Sequence, residues 1–341
     1  MSKVAFNTPI SGNGMVTFDV PPTNSFNTLT IPDESGNLLT SENPVVSKLN
    51  GGPLAGCRNR IINGNFRLAQ RGTSIACPAG LTYTLDRWLV GISGTGLTAS
   101  QGSASTAPFN WLQLTGAAGN TAVSITQRIE AANVGDLVGK KVTVSFAFYN
   151  VTGNATGATL TISVPSATDN FTTITNTNTF ELDLSNQNRQ SITFTMPAGA
   201  ERGLSVRFWA NALTSGLLVL HTVQLEEGDV ATPFEFRYIG TELDLCKRYY
   251  EASINNHMFR LSDTPALTTS WVFSVAKRST PTVTITDGNS NTGRVSIETT
   301  HNVTYGSAPN PSTNGVAWNS TLGSGVSGNL CYFKWVATAE L

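Results

Sequence analysis

Segment after segment of this chain alternates between apolar residues and small or hydroxyl-bearing ones, and that period of two narrows the available folds more than any other feature. Val142, Val144, Phe146 and Phe148 alternate with Thr143, Ser145 and Ala147, and the pattern recurs at Leu160-Ile162-Val164, Phe180-Leu182-Leu184, Ile192-Phe194-Met196 and Leu204-Val206-Phe208. Successive side chains on a strand point to opposite faces, so the alternation fits strands with one face buried and one wet. Val219 to Leu225 closes the set, with Val219, His221, Val223 and Leu225 expected on one face. Arg60 to Phe66 opens it, with a turn signal at Asn63-Gly64, and Tyr83 to Val90 and Val123 to Ile129 are further strands. Gly, Asn, Ser and Pro clusters divide these runs, which predicts an antiparallel sandwich or jelly roll over residues 57–238.

Composition supports an all-β class. Charged residues make up 13% of the 341 residues, against an ordinary ~25%, and Thr, Ser, Asn and Gly stand in their place. β-branched Thr suits a pleated surface, whereas helices favour Glu, Lys and Ala. The formal net charge of −1 gives no electrostatic reason to expect nucleic acid or an anionic membrane as partner. No apolar run approaches the ~18 residues of a membrane helix, and the N-terminus has neither the basic nor the apolar region of a cleaved signal.

The rest of the chain divides around the sandwich. Residues 1–56 form an N-terminal arm and linker, with short strands at Met15 to Val20, Thr28 to Ile31 and Asn37 to Leu39 but too little apolar surface for a core of their own. Such an arm gains burial from symmetry mates or a larger assembly. Residues 239–251 carry the one helix signal: Thr241 and Asp244 resemble a capping box, and Leu243, Cys246 and Tyr250 follow on one face. These three are the expected domain or oligomer interface. Residues 252–341 form a C-terminal β domain, with strands at Trp271 to Ala276, Val283 to Ile285, Val295 to Ile297, His301 to Tyr305 and Leu330 to Val336 and a loop from Gly306 to Gly315.

No catalytic apparatus is visible. Asp86, Glu130, Glu226, Glu227 and Asp229 are the acids from which a glycosidase pair could be drawn. Glu226 and Glu227 are adjacent and point to opposite faces, and Asp86-Arg87 beside Trp88 suits a structural ion pair over a buried indole. His221, on the apolar face of its strand, fits a satisfied core histidine. Cys57, Cys77, Cys246 and Cys331 lack metal-site spacing and are expected as reduced, buried thiols. No cofactor is implied, although Asp229 and the carbonyls of the Glu227–Gly228 turn can contribute to a structural calcium site. Sugar recognition needs aromatic rings against C–H faces together with amides or carboxylates for hydroxyls. Trp111, Tyr149, Tyr305 and Trp318, in or beside polar loops, are the candidate rings; Trp88, Trp209, Trp271 and Trp335 lie within strands and are assigned to the core.

The stretches RIINGNFRLAQRGTS, YTLDRW, GKKVTVSFAF, FWANA, VQLEEGDVATPFEFRYIGTELDLCKRYYE, KRSTPTV and the terminal ATAEL together resemble tail-fibre and related adhesion proteins of tailed bacteriophages. TLTIPDESGNLLTS is similar to a turn motif of phage fibres, and the sandwich resembles jelly-roll carbohydrate-binding modules. The resemblance implies a virion structural protein without enzymatic activity, a homotrimer anchored to other virion proteins through its arm and attaching to host surface polysaccharide. A capsid-decorating or fibre-adaptor protein is the alternative. A polysaccharide-degrading tailspike ranks last, because neither parallel β-helix repeats nor clustered acids are present.

Overall fold

A computed structural model describes residues 48–49, 52–53, 57–103, 110–253, 257–260, 266–298, 300–322 and 329–341. The expected arm strands at 15–39 lie outside the described residues. The chain divides into two compact units, Met1–Val45 and Val46–Leu341, and every described residue belongs to the second. It begins with a short ladder of β1 (Lys48–Leu49) and β2 (Gly52–Pro53).

The alternating segments build two antiparallel six-stranded sheets. Their strands are β3 (Ser74–Cys77), β4 (Gly80–Tyr83), β5 (Leu89–Gly94), β6 (Leu97–Ser103), β7 (Asn110–Thr115), β8 (Asn120–Ile129), β9 (Lys141–Asn150), β10 (Ala158–Ala167), β11 (Asn170–Leu182), β12 (Gln190–Thr195), β13 (Leu204–Asn211) and β14 (Leu217–Glu227). One sheet runs β11-β10-β13-β8-β5-β4 and the other β12-β9-β14-β7-β6-β3. Their inner faces enclose one core containing Leu112, Leu114, Val144, Phe146, Phe148, Leu160, Ile162, Val206 and Leu220. Phe146 and Phe148 from one layer meet Phe208 from the other, with ring centroids 4.9 and 5.5 Å apart. This is the all-β jelly-roll sandwich that the alternation predicts.

Two expected strands of the sandwich are broken, and farther on the expected strand Trp271 to Ala276 stops at Val272. Tyr83 to Val90 is interrupted at Leu85–Trp88: Arg87 has φ 71°, and the Thr84 and Trp88 amides donate to Trp88 O and Leu85 O at 2.8 and 2.9 Å. The turn buries Trp88 completely, with Nε1 donating to Asn63 O at 2.9 Å. Asp86 and Arg87 do not pair with each other; Asp86 Oδ2 accepts from the Gln70 amide at 2.9 Å, and Arg87 pairs with Glu340. Arg60 to Phe66 is likewise irregular rather than a strand. There Asn63 sits at φ 55°, and Gly64 packs so closely that a Cβ would lie 2.1 Å from Val223 O.

The joint contains α2 (Ile239–Lys247), the second helix after the four-residue α1 (Ala131–Val134). It starts two residues before the expected box, at an N-cap Tyr238 without a side-chain cap. Thr241 is therefore inside the helix. Glu242 is buried instead and accepts from the Asn63 amide and the Arg237 guanidinium. Tyr250 does not continue the helical face; it opens β15 (Tyr250–Ala252). Cys246 is fully buried with Ile62 and Tyr249, Leu243 is half-buried, and the Arg71 guanidinium lies 3.6 Å from the centre of the Tyr250 ring. Cys246 and Tyr250 thus meet the sandwich of their own chain.

The remaining strands are β16 (His257–Arg260), β17 (Ala266–Val272), β18 (Thr282–Thr286), β19 (Val295–Ile297), β20 (Thr300–Val303), β21 (Asn310–Pro311), β22 (Gly315–Thr321) and β23 (Leu330–Thr338). β23 is the hub, pairing with β15, β16, β18 and β19, while β17-β22-β21 form a separate sheet. Between them lies a second core of Leu267, Trp271, Val316, Trp318, Phe333 and Trp335. Strand β22, which sequence reading passed over, begins where the Gly306–Gly315 loop ends. Among the described residues no helix is long and apolar enough to cross a membrane.

Candidate ligand cleft on the outer face of the sandwich

The segment after β14 crosses the outer face of the β12-β9-β14-β7-β6-β3 sheet at β9 and β12. The Thr143 hydroxyl donates to Gly228 O at 2.9 Å and Thr193 to Asp229 O at 3.1 Å. Buried Glu226 accepts from the Thr232 amide and hydroxyl at 2.9 and 2.6 Å, and from Gln224 Nε2 at 2.8 Å. Arg189 closes this network by donating to Thr232 O at 2.5 Å and to the Ser145 hydroxyl. Apart from Arg189 Nε, the network's buried polar groups are paired, and such a network holds a segment in one place. None of the strap residues 228–232 lines the cleft farther along this face.

A β-bulge in β14 determines what that part of the face presents. The ladder with β9 slips between His221 and Gln224, and Thr222 has φ 48°, a conformation that β-branched residues rarely adopt. Leu218 and Leu220 point into the core before the slip, and Val223 and Leu225 after it. Val219 and His221 therefore face outward, the reverse of the expected shared face with Val223 and Leu225. The single extra residue changes the parity of the strand. Beyond the bulge, β14 bonds the opening segment instead of β7, with Val223 N donating to Gly64 O and Arg60 N to Leu225 O at 2.9 and 2.8 Å.

The result is a cleft of about 290 Å³ lined by Trp111, Gln113, Tyr149, Val151, Leu217, Val219 and His221. Val219 is the central register point, paired with Tyr149 on β9 and Gln113 on β7. Tyr149 and His221 meet edge to face, with centroids 5.8 Å apart at 89°, a favoured aromatic geometry. His221 Nδ1 lies 3.2 Å from the Thr222 hydroxyl. Trp111 lies over Gly102, its cross-strand partner, where a Cβ would come 2.0 Å from the indole Nε1. The same Nε1 donates to Gln113 Oε1 at 3.1 Å. A bare backbone below and an amide beside it thus set the indole's position.

None of the lining residues carries a charge at neutral pH. Burial raises the Tyr149 phenol and lowers the His221 imidazole below its ordinary 6.5. Because the folded state holds that proton less well than the unfolded chain, His221 stabilises fully above pH 6.5 and its contribution is lost as pH falls through the folded value. An NMR titration of the His221 ring protons is expected to give a midpoint below 6.5. A midpoint at or above it would mean that the ring is not desolvated in the cleft.

Of the candidate rings, the fold brings Trp111 and Tyr149 together and places the other two elsewhere. Trp318 is 1% exposed in the C-terminal core, with Nε1 donating to Ser307 O at 2.7 Å. Tyr305 packs edge-on against it at 4.8 Å. Both of these rings pack against protein. Trp88, Trp271 and Trp335 are buried as expected, whereas Trp209 is half-exposed. Sequence reading missed His221 and Gln113. Gln113 follows Trp111 at the two-residue spacing of a shared face, a legible signal; for His221 the bulge removed it.

Four of the five candidate acids are individually engaged, and Asp229 is exposed. Glu130 pairs with Arg248 at 3.0 Å and Glu227 with Lys140 at 3.0 Å, Asp86 lies 3.6 Å from Arg71, and Glu226 belongs to the strap network. Cys77, Cys246 and Cys331 are buried free thiols, and burial pushes Cys77 up to about 11 and Cys331 up to about 12. Cys57 is exposed instead of buried. No cluster of His, Cys, Asp and Glu able to hold a metal occurs among the described residues.

No protein family and no curated protein sequence matches this chain. Solved structures with similar portions include the enzymatically active domain of tailspike protein 4 from bacteriophage CBA120, 16% identical, covering 50% of this chain and 21% of that one at a TM-score of 0.34. A family 61 carbohydrate-binding module in complex with β-1,4-galactotriose is 9% identical and covers 50% of this chain and 99% of its own at a TM-score of 0.30. The CBM22-1 xylan-binding domain from Paenibacillus barcinonensis is 12% identical, covering 54% and 100% at 0.30.

Proposed function

We propose that this chain is a non-enzymatic glycan-binding protein whose sandwich takes an uncharged sugar in the Trp111–Tyr149–His221 cleft. The observation that carries this reading is the convergence of three rings and one amide on an uncharged recess. Apolar walls suit the C–H faces of a sugar, and Gln113 and His221 offer donors and acceptors for hydroxyls. With no cation in the lining, an anionic sugar would lose solvation there without compensation.

The finer reading is a tail-fibre adhesin of a tailed bacteriophage, a homotrimer anchored to the virion by its N-terminal arm. Its support is the residue-level resemblance of the VQLEEGD…TPFEFR…GTEL block, which in this fold forms the strap and the joint. Three weak sites acting together could raise overall attachment ~10²–10⁴-fold.

Glycan-array screening of the full chain, followed by calorimetry on the neutral oligosaccharide retained, tests the first reading. Trp111→Ala is expected to weaken binding ~30-fold or more, as truncation of an aromatic hot spot does. Retention of no neutral glycan, or unchanged affinity in Trp111→Ala, would overturn it. Sedimentation tests the second: a trimer is expected, and a monomer at micromolar concentration would end the trimeric reading.

A further inference from the structure

A second cavity lies at the joint, separate from the outer-face cleft. It encloses about 630 Å³ and is lined by Gln70 of the sandwich, Leu243 and Lys247 of α2, and Glu251, Ser253, Ser274 and Trp335 among others. That volume falls within the roughly 300–1,000 Å³ of small-molecule sites, which favour junctions of this kind.

Among the charged, amide and hydroxyl side chains of the lining, all but one have partners. Gln70 Nε2 donates to Asp86 Oδ1 at 3.2 Å and Tyr250 O at 3.0 Å. Glu251 accepts from Lys277 Nζ at 2.5 Å and from the Ser274 hydroxyl at 2.6 Å, and Lys277 is itself enclosed, so this carboxylate is neutralised in place. The Ser253 hydroxyl accepts from the Trp335 amide at 2.9 Å. Lys247 is the exception. The neighbouring cations Arg71, Arg87, Arg248 and Lys277 each have a carboxylate partner, whereas Lys247 has none among the described residues. It stands in the last turn of α2, where the negative end of the helix favours a cation but supplies no full counter-charge.

We propose that this groove is a binding site for an acidic sugar of the uronic type. The carboxylate would pair with Lys247, and the apolar ring face would lie against Leu243 and the edge of the Trp335 indole that its packing on Trp271 and Phe273 leaves open to the groove. A single ammonium matches a single carboxylate charge. Phosphate carries more charge and is ordinarily held by several cations or by a set of backbone N–H groups, and the lining offers one cation. The site is independent of the neutral-sugar cleft.

Calorimetric titration of the full chain with trigalacturonate tests the assignment, with inorganic phosphate as competitor and Lys247→Gln, Lys247→Arg and Trp111→Ala as variants. Trigalacturonate is expected to bind, to weaken with added salt, and to lose ~10-fold or more in Lys247→Gln. Lys247→Arg and Trp111→Ala should retain binding, and an unchanged melting temperature in Lys247→Gln would show that its fold is intact. The proposal is overturned if trigalacturonate does not bind, or if Lys247→Gln binds it as well as the parent chain. It also fails if binding is lost in Trp111→Ala instead, which would place the sugar in the outer-face cleft. Displacement by equimolar phosphate would reduce the groove to a plain anion site and overturn the sugar assignment.

Discussion

Replacing Glu340 by Ala is expected to lower the unfolding free energy by about 3–5 kcal/mol, the cost of stranding a buried charge. Glu340 is the carboxylate partner of Arg87, whose side chain is 1% exposed, and it also takes Arg71 at 2.9 Å. Arg87 lies 3.5 Å from the Tyr249 ring centre and donates to Arg128 O at 2.6 Å, so it cannot reach water without opening the joint. The last residues are held as well: Tyr83 donates to Leu341 O at 2.7 Å, and Arg278 to Ala339 O and Glu340 O at 2.6 and 3.1 Å. Guanidinium chloride denaturation of the full chain provides the measurement. The double variant Arg87→Met, Glu340→Ala is expected to recover much of the loss, because both charges are then absent. A loss below about 1 kcal/mol in the single variant would put the pair in the class of surface ion pairs and remove it as the clamp between sandwich and C-terminal strands.

Gly102→Ala is expected to weaken binding in the outer-face cleft about as much as removing the Trp111 ring, ~10–100-fold, while the fold persists. The substitution adds one methyl where the indole lies, and the required displacement exceeds what a packed ring can absorb in place. Gly102 is in a regular ladder with Trp111, so the backbone itself tolerates Ala. Tryptophan emission and glycan calorimetry on the same sample separate the outcomes. A shifted emission with lost binding supports the seated indole. An unshifted emission with full binding would mean that the ring is not fixed by Gly102.

Most of the sandwich was legible in the residues. Val142 to Phe148 and Leu204 to Phe208 could bury their large side chains only by alternating across a sheet, and their inward faces were read correctly. Failures fall where a backbone departs from regular φ and ψ for a tertiary reason. Asp86-Arg87-Trp88 turns because Trp88 fills the core under Asn63 and Arg87 must reach Glu340, a partner 253 residues away. α2 begins at Ile239 because Glu242 serves the Asn63 amide of the sandwich, a contact across 179 residues that overrides the local signal at Thr241.

The sequence by itself determined the all-β class, many of the segments that become strands and two of the cleft's rings, because period and side-chain type are local properties. Only the tertiary structure decided which rings meet. The slip at Thr222 turned His221 outward toward Tyr149, the strap from Gly228 to Thr232 crossed the same face at Thr143 and Thr193, and packing sent Trp318 and Tyr305 into a separate core. A one-residue change of parity reverses every side chain beyond it on a strand. Whether such a slip occurs is settled by long-range partners such as Gly64 and Asn59, which bond Val223 and Leu225 from the far end of the sandwich.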